Sequence, residues 1–168
     1  MESASGPADA GKSSAIPDGT GPARPLPSDS DCSVTIASAV KDHEGRSLTQ
    51  PSPVPLFHTE PLTLSPKSPA DGDMKPPGTL AEVQFTFNTP IDPTSIQPGD
   101  ITVTDVNSSE VVTATAIDVV GLEVDATVDV TLVNGTSYQV TVKKTVADTY
   151  GKTLRDDATW SFTAVASD

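Results

Sequence analysis

Five aspartates stand where they could share a task. Asp92 and Asp100 flank the connection "IDPTSIQPGD", and Asp148, Asp156 and Asp157 flank "VADTYGKTLRDD". Carboxylate oxygens are the ligands of a hard cation such as calcium, which takes six to eight oxygens at once. Brought together on neighbouring loops, these side chains could assemble such a site. Spread apart, they form a solvated acidic rim that discourages edge-to-edge association. We carry the rim, with no cofactor, as the expectation, and calcium as the alternative. Within the second stretch Tyr150 sits at the loop tip, where an exposed aromatic ring could contact a sugar or a protein partner. The plainer reading is a ring packed over its own loop.

Nucleophilic chemistry has little to draw on. The only thiol is Cys32 and the only imidazoles are His43 and His58. All three fall in a proline-rich region without a visible core, and thiol catalysis depends on a nucleophile and base held in register. One cysteine excludes an intramolecular disulfide and a cysteine zinc site. No glycine-rich phosphate loop and no His-x-x-x-His pattern occurs. An enzyme is therefore not expected. The formal charge of -13 argues against nucleic acid, whose phosphates need clustered Lys and Arg, and against anionic lipid. No apolar run approaches the length that spans a bilayer.

The elements that must position these residues follow from composition. All 16 prolines lie at or before Pro98, and the chain beyond is rich in Val, Thr and Asp. Residues 1–30 are mostly Ser, Ala, Gly, Pro and Asp with no aromatic, too little apolar surface to offset the entropy of ordering. They read as a disordered low-complexity leader. Met1 is followed by no basic and apolar secretion signal. The protein is then either cytosolic or a piece of a longer chain, and a repeat described below favours the piece.

From Leu80 onward strand patterns dominate. "EVQFTFN" alternates through Val83, Phe85 and Phe87, "LEVDATVDVTL" through Leu122 to Leu132, "SYQVTVKK" through Tyr138, Val140 and Val142, and "ATWSFTA" through Trp160, Phe162 and Ala164. This is the period of half-buried strands. "ITVTD" and "VVTATAID" add two more, and "PLTLS" opens the set ahead of the loop "PADGDMKPPG". Asp92 and Pro93 suit a short helical turn and Asn134-Gly135 a tight turn. About seven antiparallel strands in one stretch of this length predict an all-β sandwich. Lettered A to G with alternating direction, the B–C loop (Asp92, Asp100) and the F–G loop (Asp148, Tyr150, Asp156, Asp157) emerge at one pole. Asp71 and Asp73 emerge at the other. Tyr138 stands where such sandwiches place a corner tyrosine that bonds back to the backbone.

"VADTYGKTL" also has an echo 106 positions earlier, "VKDHEGRSL". At that offset Val34, Thr35 and Ile36 match Val140, Thr141 and Val142, while Val40, Asp42, Gly45 and Leu48 match Val146, Asp148, Gly151 and Leu154. Phe57 matches Phe162 after a one-residue gap, and Cys32 falls at the position of Tyr138. The spacing is one sandwich length. Residues 31–60 therefore read as the C-terminal half of a preceding repeat, poorly ordered because two strands alone are marginal, and 61–165 as a complete domain. What both loops keep is what a turn needs. The Asp accepts backbone N–H groups in an Asx turn, and the Gly takes a positive φ that costs another residue about 1 kcal/mol or more.

In order, "SPADGD…VQFTFNTPIDPTSI…ITVTD…NGTSYQVTV…VADTYGKTL…WSFT" resembles the bacterial immunoglobulin-like domain family, repeated in S-layer and other surface or secreted proteins. The likeness covers about residues 62–165 and, in part, the half copy. Members often carry Asn after the loop glycine, where this chain has Lys152 and Arg46. The resemblance implies a non-enzymatic, monomeric spacer repeat at the cell surface or outside the cell, with neighbouring Ig-like domains as its partners. The alternative is an adhesin or carbohydrate-binding module that meets a protein or glycan through the B–C and F–G loops.

Overall fold

The computed structural model describes residues 25–35, 39–47 and 56–166. The greater part of the expected leader, residues 1–24, lies outside the described residues, as does Leu48 of the repeat. A two-stranded sheet pairs β1 (Asp31–Ser33) with β2 (Leu56–His58). The rest is a sandwich built from β3 (Leu64–Ser68), β4 (Met74–Lys75), β5 (Gly78–Phe87), β6 (Ile101–Asp105), β7 (Val111–Thr113), β8 (Ala116–Val120), β9 (Glu123–Leu132), β10 (Ser137–Val142) and β11 (Ala158–Ala164).

One sheet runs β3-β5-β9-β8 and the other β4-β11-β10-β6-β7. With β3, β5, β9 and β8 as A, B, E and D and β6, β10 and β11 as C, F and G, this is the strand order of an immunoglobulin-like sandwich. The alternation in the sequence decides what faces inward. Val83, Phe85 and Phe87 of β5 and Val124, Ala126, Val128, Val130 and Leu132 of β9 meet Tyr138, Val140, Val142, Trp160 and Phe162 of β10 and β11, all buried. Each fully buried side chain of this size contributes about 1.5–3 kcal/mol before ordering costs. Phe85 lies edge-on to Phe87 and Trp160, with ring centroids 5.7 and 5.9 Å apart, and the Trp160 indole N–H donates to the Pro69 carbonyl at 2.9 Å.

Three elements differ from the sequence expectation. "VVTATAID" is two strands. The small, buried Ala114 lets the chain cross between sheets, its N–H on the Ile101 carbonyl (3.0 Å) and that of Thr115 on the Thr127 carbonyl (2.8 Å). Met74–Lys75, placed in a loop by the prolines around it, pairs in parallel with the end of β11. The first strand pairs from Leu64 rather than Pro61 and contains Pro66 beside a register shift, which a sheet tolerates on an edge where the missing N–H faces no partner. The helical turn also moves. Asp92 holds an ordinary turn, with the Ser95 N–H on its carbonyl at 2.9 Å, and the 3-10 turn forms at Pro98–Asp100.

The tyrosine corner is present. The Tyr138 hydroxyl accepts the Val133 N–H (2.9 Å) and donates to the Thr131 carbonyl (3.1 Å), which fixes the turn between β9 and β10. Its ring stacks on Phe162 at 5.4 Å.

Candidate functional site: the loop pole and its joint

The β10–β11 loop is built around one carboxylate. Asp148 Oδ1 accepts the N–H groups of Tyr150 and Lys152, both at 2.8 Å. Its backbone closes the same turn, N–H to the Lys152 carbonyl at 2.8 Å and carbonyl to the Gly151 N–H at 2.9 Å. Gly151 takes φ 80°, the left-handed region that favours glycine. The β5–β6 loop is stitched alongside, with Ile91 bridged to Asp148 and the Asp92 N–H on the Ala147 carbonyl at 2.9 Å.

The earlier copy has the same geometry. Asp42 Oδ1 accepts the N–H groups of Glu44 and Arg46, both at 2.9 Å. Gly45 has φ 80°. Lys41 bridges Ser47 as Ala147 bridges Thr153, and Cys32 pairs with Phe57 as Tyr138 pairs with Phe162. In their described parts residues 31–60 hold a paired β1–β2 and an Asx turn at Asp42. On their would-be core face Val34, Val40 and Phe57 are exposed where Val140, Val146 and Phe162 are buried.

What occupies the loop pole is the chain's own earlier segment. Pro25–Ser30, placed by the sequence at the end of the leader, lies against the β10–β11 loop. The Ser28 N–H donates to Asp148 Oδ2 at 2.9 Å, leaving Ser28 3 % and Asp148 1 % exposed. The Tyr150 hydroxyl donates to the Pro25 carbonyl. Arg155 Nη2 reaches Asp29 Oδ1 at 2.8 Å, and the same oxygen meets His58 Nε2 at 2.9 Å while His58 Nδ1 meets Asp31 at 2.9 Å. Burial pushes the Asp148 carboxyl up, but the N–H groups of Ser28, Lys152 and Tyr150 outweigh it and hold the group below its ordinary value. Hydrogen bonds from Arg155 and His58 lower Asp29. Those to Asp31 and Asp29 raise His58, since only imidazolium can donate from both nitrogens.

The five aspartates lie in the β5–β6 and β10–β11 loops, and four of them accept hydrogen bonds there. Asp92 Oδ1 takes the Thr94 N–H and hydroxyl, both at 2.8 Å. Asp100 takes the Gln97 N–H at 2.8 Å and the Thr145 hydroxyl at 3.0 Å. Asp157 takes the Lys144 N–H at 2.9 Å, and Asp156 lines an open groove with Pro61, Leu62, Leu154 and Arg155. Among the described residues no three His, Cys, Asp or Glu side chains are grouped as metal ligands would be. At the other pole Asp71 accepts the Ser161 N–H at 3.0 Å and Asp73 that of Ala70 at 2.9 Å. Tyr150 is 44 % exposed, with its hydroxyl committed to Pro25. The Cys32 thiol faces the Ser30 carbonyl at 3.9 Å, and His43 lies 3.7 Å from Glu44.

A family model described as the bacterial Ig-like domain matches residues 58–164. The chain belongs to the bacterial Ig-like domain family. No curated protein matches it. Among solved structures, the N-terminal part of the bacterial S-layer protein SbsC is similar at 23% identity and TM-score 0.46, over 61% of this chain and 24% of that one. A longer S-layer SbsC structure is similar at 23% identity and TM-score 0.46, over 60% and 13%. A third, of SbsC domains 1-6, has 24% identity and TM-score 0.46, over 60% and 13%. The Ig-like chain thus spans a quarter or less of those proteins' lengths.

Sequence reasoning missed the contact that Pro25, Ser28 and Asp29 make with Tyr150, Asp148 and Arg155. A signal existed. Carried back at the same offset, the repeat aligns Ser28-Asp29-Ser30 with Asn134-Gly135-Thr136, the turn that opens the tyrosine-corner strand.

Proposed function

We propose that this chain is a non-enzymatic spacer repeat of a multidomain bacterial surface or secreted protein, and that residues 31–60 are the closing part of a preceding repeat of the same kind. One observation carries the reading: the turn at Ser28–Ser30 is seated on the Asp148 loop. A ligand-binding pole would leave its loop-tip groups for the ligand. Here Asp148 Oδ2, the Tyr150 hydroxyl and the Arg155 guanidinium all serve the neighbouring segment. The partners are then adjacent Ig-like domains, the site is a joint, and the acidic residues act as turn formers and a solvated rim rather than as calcium ligands. Two strands of a preceding repeat running through Thr59-Glu60-Pro61 into β3 give a short, stiff connection, as a spacer requires.

A glycan array probed with the full chain and with Tyr150→Ala tests this against the adhesin reading. Silence for both is expected, whereas binding lost in the variant would replace the spacer with the ligand-binding module. The melting temperature is expected to be unmoved by millimolar calcium, because among the described residues no three carboxylates are grouped as metal ligands would be.

A further inference from the structure

The repeat makes each turn before the tyrosine-corner strand comparable with its twin. Ser28-Asp29-Ser30 and Asn134-Gly135-Thr136 share a positive φ at the middle residue, 46° at Asp29 and 80° at Gly135. Each is tied to its closing strand by one matching bond. The Thr59 N–H donates to the Ser30 carbonyl and the Ala164 N–H to the Thr136 carbonyl, both at 2.9 Å. They differ in what lies outside them. The Ser28 N–H is buried on Asp148, whereas Asn134 is exposed and its N–H meets no acceptor among the described residues. Val133, which matches the half-buried Pro27, is 56 % exposed, and Val165, which matches Glu60 at the start of the joint, is also exposed. The Asn134 side chain accepts the Ala166 N–H at 2.8 Å, so the outgoing chain is folded back against this turn.

We infer that the turn Val133–Thr136 is the docking face for the β10–β11 loop of a following repeat in the same polypeptide, whose Asp148-type carboxylate takes the Asn134 N–H. The inference rests on the spacer reading and adds a second joint surface to it. It also says which contacts carry over. The Pro25 carbonyl, which receives Tyr150, corresponds to the Thr131 carbonyl, already bonded by Tyr138. Asp29, which receives Arg155, corresponds to Gly135. Only the carboxylate-to-N–H bond is common to both joints, so the carboxylate rather than the tyrosine or the arginine is the recognising group.

The test extends the full chain, after Val165, with a second copy of residues 61–168, so that Val165 takes the place of Glu60. The whole core lies between Leu62 and Ala164, so the added copy brings its own. Amide exchange at Asn134 is expected to slow by about tenfold or more relative to the single chain. Asp148→Asn in the second copy alone is expected to restore fast exchange there while Ser28 of the first copy stays protected. A Gly-Ser insert after Val165, which alters neither domain, should do the same. Fast exchange at Asn134 in the extended chain, or slowing that survives both changes, overturns the inference. If Ser28 is unprotected as well, the spacer reading fails with it; a protected Ser28 beside an unprotected Asn134 sinks the second surface alone.

Discussion

Replacing Asp148 by asparagine keeps an oxygen where Tyr150 and Lys152 donate, both at 2.8 Å, and puts an amide N–H₂ where Oδ2 received the Ser28 N–H at 2.9 Å. The loop turn survives with weaker acceptance, while the joint faces donor against donor. Alanine removes both acceptor oxygens and with them all three bonds. A hydrogen bond to a charged group contributes about 1.5–3 kcal/mol net, and a buried N–H left unpaired costs about 1–3 kcal/mol. Asp148→Asn is therefore expected to cost about 1–3 kcal/mol, felt mainly at the joint. For Asp148→Ala, neighbouring bonds are not additive, and the expectation is roughly 3–5 kcal/mol, felt by the sandwich itself. A domain of about a hundred residues loses ~4–8 °C in melting temperature per kcal/mol, so alanine should lower Tm by more than 12 °C. The buried Trp160, the sole tryptophan, reports global melting, and amide exchange at Ser28, Tyr150 and Lys152 reports the two sides of the carboxylate. Equal Tm losses for the two variants, or a Ser28 amide exchanging in the wild type as in an unfolded peptide, would refute the division of labour.

Three further outcomes follow from the same geometry. Because the Asp148 carboxyl is held below its usual 3.8, its contribution is present above that value and is lost as pH falls through the lower folded value; the urea midpoint should show no loss from this group between neutral pH and about 4 and then drop, with a shallower acid limb in Asp148→Asn. His58 is raised above 6.5 by Asp31 and Asp29, so its contribution is full below 6.5 and fades as pH rises through the folded value; NMR titration should find it above 6.5, and His58→Gln should abolish this alkaline loss. Tyr138→Phe keeps the ring stacked on Phe162 but orphans the Val133 N–H and the Thr131 carbonyl, at a cost of about 1–3 kcal/mol, seen as a lower urea midpoint with an unchanged slope.

Much of the sandwich was legible because its strands obey the simplest pattern. Phe85, Val128 and Val140 alternate with polar neighbours, and one face of each strand must be buried. The Asx turn was legible because Asp148 and Gly151 are held to their types by backbone chemistry alone, as Asp42 and Gly45 show. What escaped notice depended on tertiary context. Met74–Lys75 is a strand only because the edge of β11 offers partners, and nothing in "MKPP" announces it. The break at Ala114 depends on which sheet each half joins. The joint escaped because its bonds use the Ser28 N–H and the Pro25 carbonyl, main-chain groups that every sequence has. Its charged members, Asp29, His58 and Arg155, are more than ninety positions apart at the extremes and acquire meaning only when the preceding turn is folded onto the loop.

The exchange of Cys32 for Tyr138 links the two halves of the molecule. In the complete domain the corner hydroxyl donates to the Thr131 carbonyl and accepts the Val133 N–H. In the earlier copy the cysteine cannot reach that far, and its thiol turns to Ser30. The carbonyl of Pro25, which occupies the place of Thr131, thereby takes no corner bond from Cys32. It is this carbonyl that receives the Tyr150 hydroxyl. Tyr150, expected at an exposed loop tip, thus bonds the main-chain acceptor that Cys32 does not use. The replacement leaves the Pro25 carbonyl to the Tyr150 hydroxyl, where a tyrosine at position 32 would compete for it. Cys32→Tyr is therefore expected to stiffen β1–β2 while weakening the grip of Tyr150, read as slower exchange at Thr59 together with loss of the Tyr150 hydroxyl bond by NMR. Retention of that bond in the variant would show that the two donors share the carbonyl and that the exchange plays no part in the joint.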